Sequence, residues 1–85
     1  MKVKILYFAK IKELIGLDNE IIDLPASVLT LDELKNFLIL RGAPWSEIFL
    51  SHNATRCALN QNLMQSNFNI VAGSEIAFFP PITGG

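Results

Sequence analysis

The strongest constraint on this chain sits near its middle, at Thr30-Leu31-Asp32-Glu33. A threonine followed three residues later by glutamate, directly ahead of an apolar periodicity, is a capping box and marks a helix start. Leu29 and Leu34 flank it at the spacing of a hydrophobic staple. Leu31, Leu34, Phe37 and Leu38 recur at helical spacing up to Arg41, and Gly42 followed by Pro44 stops the pattern. One amphipathic helix of this kind must lay its stripe on another apolar surface, and the segments around it supply strands. Val3 to Phe8 alternates: Val3, Ile5 and Tyr7 share one face, while Lys2, Lys4, Leu6 and Phe8 share the other, which the lysines mark as solvent-facing. A short helix follows, with Ile11, Leu14 and Ile15 on one side and Gly16 as its stop. Glu20 to Leu24 reads as a second strand ended by Pro25.

Beyond the main helix, Pro44 to Ser51 predicts a further helical turn, with Trp45, Ile48 and Phe49 closing the edge of the core. Residues 55–60 alternate as a strand with Cys57 and Leu59 inward, and Asn60-Gln61-Asn62 is a turn. A second turn region from Asn69 to Gly73 leads into a last strand, Glu75 to Phe79. Ile76 and Phe78 point to one side of it; Glu75, Ala77 and Phe79 point to the other. Strand, short helix, strand, long helix and returning strands predict an α+β roll, the β-grasp or ubiquitin-like arrangement, over residues 1–79. Residues 80–85 then form an extended tail.

Eighty-five residues allow one modest core, burying roughly 60–65% of the unfolded surface. A deep substrate pocket is not expected. Hydrophobic residues make up 51% of the chain and mean hydropathy is +0.36, so the surplus serves either a tight core or an apolar docking face. Net charge is −1 with scattered lysines and arginines, which argues against nucleic acid as a partner. No apolar run approaches the roughly 20 residues of a membrane span, and the N-terminus lacks a signal-peptide layout. A single cysteine, Cys57, excludes an internal disulfide framework and an iron–sulfur cluster and fits a reducing cytoplasm.

The composition shifts once, at Pro80-Pro81-Ile82-Thr83-Gly84-Gly85. Two prolines fix φ and favour a stiff polyproline path of about 3.1 Å per residue. The two terminal glycines lack a Cβ and can thread a channel closed to other residues. A Pro-Pro-x-x-Gly-Gly ending arises by chance in about one chain in 10⁵. The arrangement predicts a delivery device whose working group is the Gly85 carboxylate. A carboxylate is a poor electrophile, so the implied chemistry is ATP-dependent conversion of Gly85 to an acyl-adenylate, which a sulfur or amine nucleophile then attacks. The chain has no phosphate-cradling glycine loop and no paired acid and base, so a partner must perform that step.

The segments Leu6-Tyr7-Phe8-Ala9, Ile11-Lys12-Glu13-Leu14, Leu59-Asn60-Gln61 with Leu63, and above all Ala77-Phe78-Phe79-Pro80-Pro81-Ile82-Thr83-Gly84-Gly85 resemble the small-subunit family of molybdopterin synthase. The resemblance implies a sulfur carrier, not an enzyme on its own, working in a heterotetrameric synthase. A ubiquitin-activating-like adenylyltransferase would activate Gly85 with ATP, and a sulfur donor of the cysteine desulfurase type would supply a thiocarboxylate. The tail would then enter the large catalytic subunit and give sulfur to a cyclic pterin phosphate. In that resemblance Gly85 bears the sulfur, Gly84 gives access, and Phe8, Lys12, Leu63, Phe79, Pro80, Pro81, Ile82 and Thr83 meet partners. Two departures stand out: Lys12 where arginine is common, and Gly73-Ser74-Glu75 where Gly-Asp-Glu is common.

Other residues carry plainer readings. Cys57 is expected as a buried small hydrophobe, His52 as solvated surface, and Trp45 as core cover. No metal site and no permanently bound cofactor are expected. Carriers for thiazole or cysteine synthesis share the Gly-Gly tip, and a protein modifier or a plain interaction domain are the remaining alternatives.

Overall fold

A computed structural model describes residues 1–50 and 55–81. The elements run β1 (Lys2–Tyr7), α1 (Ala9–Ile15), β2 (Asn19–Asp23), α2 (Leu31–Ile39), α3 (Trp45–Leu50), β3 (Arg56–Leu59), β4 (Asn62–Met64) and β5 (Glu75–Phe79). The strands form one mixed sheet in the order β2-β1-β5-β3-β4. The first and last strands pair in parallel at its centre, with Lys4 beside Glu75 and Tyr7 beside Phe78. β2 and β3 flank them antiparallel. This is the β-grasp, ubiquitin-like roll expected from the element order.

The main helix starts where its capping box requires. The Thr30 hydroxyl accepts the Glu33 amide at 3.2 Å, and the Glu33 carboxylate reaches back to accept the Leu29 amide at 3.1 Å. The loop before β5 satisfies two more amides of the first turn: Leu31 donates to the Phe68 carbonyl and Asp32 to the Asn67 side chain, each at 2.9 Å. Leu31, Leu34 and Leu38 are buried against Val3, Ile5, Tyr7, Ile76 and Phe78 in one apolar cluster. Each such side chain contributes about 1.5–3 kcal/mol on burial.

The expectations needed five corrections. Leu14 is 52% exposed instead of core-facing, because α1 is only two turns long and seats Ile11 alone. Leu29 is also exposed, so it is not a buried staple: its backbone is held by the Glu33 carboxylate and by the Ile70 amide. The main helix ends at Ile39, three residues before Gly42, whose φ of +88° then turns the chain. Phe8 lies just past β1 and caps α1. The hairpin after Leu59 carries a short strand, β4, that the turn residues alone did not announce; Asn60 and Gln61 both take positive φ, 48° and 71°, in a two-residue turn.

Candidate functional site

The sheet has one face under α2 and, among the described residues, one face that no helix covers, and the registers decide what stands on the open one. Across its middle run Leu6, Ala77, Ala58 and Leu63, each the partner of the next. One row further along stand Phe8, Phe79 and Arg56; the Phe8 amide donates to the Phe78 carbonyl at 3.1 Å, which continues the parallel ladder. The row on the other side holds Ile21, Lys4 and Glu75. Phe8 is 47% and Leu63 57% exposed, Leu6, Ala58 and Phe79 are half-buried, and Ala77 forms the floor. The result is a shallow apolar trough with leucines as its two walls and an aromatic pair at one end, of the kind that marks a protein-binding surface.

The tail leaves from the aromatic end, since Phe79 is immediately followed by Pro80 and Pro81. Both prolines are half-buried and line an open groove of about 300 Å³ with Lys10, Ile11 and Leu14 of α1, Pro44, Glu47 and Ile48 near α3, and Thr55. The exposed Leu14 belongs to this groove. The half-buried prolines anchor the chain where it leaves β5. Ile82, Thr83, Gly84 and Gly85 lie outside the described residues, as does His52.

The structure therefore brings Phe8, Leu63, Phe79 and the root of the tail into one surface. Lys12 is exposed on α1, one turn on from Phe8, whose carbonyl accepts its amide at 3.3 Å, beside a depression lined by Ala9, Glu13, Gly16, Leu17 and Asp18. Gly16, at φ +82°, caps that helix by donating to the Lys12 carbonyl at 2.8 Å. Ala58 and Ala77 are trough positions to which the sequence analysis gave no role, although alternation put Ala77 on the side of Phe79. An alanine on an alternating strand gives no signal by itself, and the trough exists only because the register sets the two side by side.

Cys57 is buried, and burial pushes its thiol up to about 11, with Lys35 opposing. A protonated thiol without access is a poor nucleophile. A second polar cluster braces α3 against the sheet: the Tyr7 hydroxyl donates to Glu20 at 2.6 Å, the Trp45 indole donates to the Tyr7 oxygen at 3.2 Å, and Arg41 pairs with Glu20 at 2.9 Å while stacking on the Trp45 ring. Burial, then the bond to Glu20, raises the Tyr7 phenol. Trp45 is thus half-buried cover with a hydrogen-bonded tip, as expected of it. Among the described residues no group of three or more His, Cys, Asp or Glu could hold a metal ion, and no helix is long and apolar enough to cross a membrane.

Comparison with known proteins points the same way. The ThiS family profile matches residues 5–85. A molybdopterin synthase sulfur carrier subunit of Escherichia coli is 32% identical over 83 residues, spanning 98% of this chain and 99% of that protein. Its namesake in Haemophilus influenzae is 37% identical over the same lengths. Among solved structures, the complex of subunits 1 and 2 of molybdopterin-converting factor from Helicobacter pylori contains a chain 27% identical, with a TM-score of 0.66 and full coverage of both chains. SAMP1 from Haloferax volcanii shares the fold, with a TM-score of 0.75 at 23% identity and full coverage of both.

Proposed function

The chain belongs to the ThiS family, and from that membership we propose that it is a sulfur carrier and the small, sulfur-donating subunit of a molybdopterin synthase. The observation that carries the reading is the junction of trough and tail. An apolar face ends in Phe8 and Phe79, and the chain continues from Phe79 into Pro80 and Pro81, with Gly84 and Gly85 following in the sequence. A carrier needs this separation of tasks, because the face supplies affinity while the tip must stay free to be acylated and to react.

In the proposed cycle the Gly85 carboxylate attacks the α-phosphorus of ATP within an adenylyltransferase partner, and pyrophosphate leaves. The persulfide of a donor of the cysteine desulfurase type then displaces AMP from the acyl carbon to give an acyl disulfide, and a thiol cleaves its S–S bond, leaving a disulfide on the donor side and releasing the thiocarboxylate. That group is ionised and nucleophilic at neutral pH, and it delivers sulfur to a cyclic pterin phosphate inside the large subunit. Gly84 admits the tip to both active sites; Pro80, Pro81, Ile82 and Thr83 span the distance from the fold. Phe8, Leu63 and Phe79 dock the partner, and Lys12 meets an acidic or carbonyl group at the rim as a single point charge. ATP and the pterin belong to the partners, and the carrier itself holds no cofactor.

Intact mass spectrometry tests the reading. Co-expressed with its activating enzyme, a fraction of the chain should gain the mass difference of one oxygen-to-sulfur exchange, located on the C-terminal peptide. Sulfur located on Cys57 would overturn it.

A further inference from the structure

The open sheet face is complementary to itself in a way that heterologous docking does not require. Lys4 and Glu75 sit side by side on the two central strands, as do Leu6 and Ala77, and Phe8 and Phe79 follow in the next row. A two-fold axis lying between two stacked faces, parallel to the strands and midway between β1 and β5, would lay each β1 on the other copy's β5. Lys4 then faces Glu75 twice, the wall residue Leu6 falls on the floor residue Ala77 twice, and Phe8 meets Phe79 twice. Charge, size and aromatic character match in the three successive rows. The same axis carries Ile21, 70% exposed on β2, over β3 of the other copy. An axis between β5 and β3 would instead stack Ala77 on Ala58, leaving a void, and set Glu75 against the neutral Asn60. Of these two axes, only the first sets Lys4 against Glu75 and fills the space over Ala77.

We infer that the free chain self-associates as a face-to-face dimer about this axis, with a second copy occupying the apolar trough whenever no partner does. Sheets stack in this aligned manner at about 10 Å separation, and an isologous two-fold contact closes at the dimer. Four strands at about 4.8 Å spacing over about five residues give a footprint on the order of 300–400 Å² per copy. That is well short of the roughly 800 Å² per partner of a stable interface. The dimer is therefore weak and reversible, and it forms only as the chain approaches millimolar concentration. Self-association hides the face named above for the large subunit, so a larger partner interface displaces it. The inference stands on the registers alone, and its test involves no partner, tail chemistry or sulfur.

Sedimentation velocity from micromolar to millimolar chain at low salt reads it directly. The unmodified chain should shift from monomer to dimer across that range. Lys4→Glu sets two carboxylates against each other at two points, and Glu75→Lys does the same with two ammonium groups; each variant alone should associate at least about tenfold more weakly. Mixed in equal amounts, the two single variants should form a heterodimer, since each of them then meets opposite charge across the axis. The doubly reversed chain, Lys4→Glu with Glu75→Lys, should regain self-association. If either reversal fails to fold, Lys4→Gln and Glu75→Gln should each weaken the dimer severalfold without introducing repulsion. A monomer up to millimolar concentration, single variants that dimerise like the unmodified chain, or a mixture that stays monomeric would each overturn the inference.

Discussion

At the scale of single residues the chemistry divides between Phe79 and Cys57. Phe79 is half-buried between Phe8 and Arg56, at the point where the fold becomes tail. Phe79→Asp should weaken binding to the large subunit by at least about 30-fold, equivalent to a central aromatic contribution of about 2 kcal/mol. Thermal melting should move by only a few degrees, since the core beneath is Phe78 and not Phe79. A titration and a melt on one preparation check both halves. Cys57 makes the complementary case. Its thiol is pushed up to about 11 by burial, so the native state holds the proton after the unfolded chain has released it. Stability that depends on this proton is complete below the unfolded thiol's range and is lost as pH rises towards 11. Denaturant midpoints measured between about pH 8 and 11 should fall for the unmodified chain and fall less for Cys57→Ala. Alkylation of the native protein at about pH 8 should be negligible. Phe79 and Cys57 were both legible from alternation. The alanine floor was legible only in part: alternation put Ala77 on the outer side, but its pairing with Ala58 comes from strands distant in sequence.

At the scale of elements, the sequence was most informative where local chemistry decides the structure. The capping box fixed the start of α2, and Thr30→Ala should destabilise the fold by about 1 kcal/mol while leaving the docking face intact. Urea unfolding beside a partner titration separates these effects. The hairpin between β3 and β4 shows where such reading ends. β4 is three residues long, too short for an alternation, and it becomes a strand only because Leu63 finds Ala58 across a turn with two positive φ values. Gln61 takes φ of +71° at a position glycine would accept without strain. Gln61→Gly should stabilise the protein by about 0.5 kcal/mol, the relief of strain being partly offset by the greater freedom of glycine in the unfolded chain. A denaturant midpoint that falls would place the strain elsewhere. The exposure of Leu14 has the same origin as the missed strand: helical spacing shows which residues share a face, but not that the neighbouring elements leave a groove there.

At the scale of the whole molecule, the parallel pairing of the first and last strands is the organising fact, and no local pattern reveals it. It places Phe8 from the start of the chain beside Phe79 near its end, so the apolar trough and the tail root coincide. Affinity and reactivity can then be separated by a single deletion. The trough offers apolar area, whereas terminal glycines offer almost none. Removing Gly85 shortens the tail by roughly 3 Å and moves the carboxylate onto Gly84, short of the active sites it must enter. The truncated chain should fold as before and bind the large subunit within about tenfold of the full chain, a difference of roughly 1.4 kcal/mol. It should form no thiocarboxylate and support no molybdopterin synthesis, because correct docking cannot compensate for a reacting atom out of place. Binding titration and a pterin-conversion assay on the same preparation decide the matter. Lost binding would make the tip part of the docking surface, and persistent conversion would mean that the reacting group lies elsewhere in the chain.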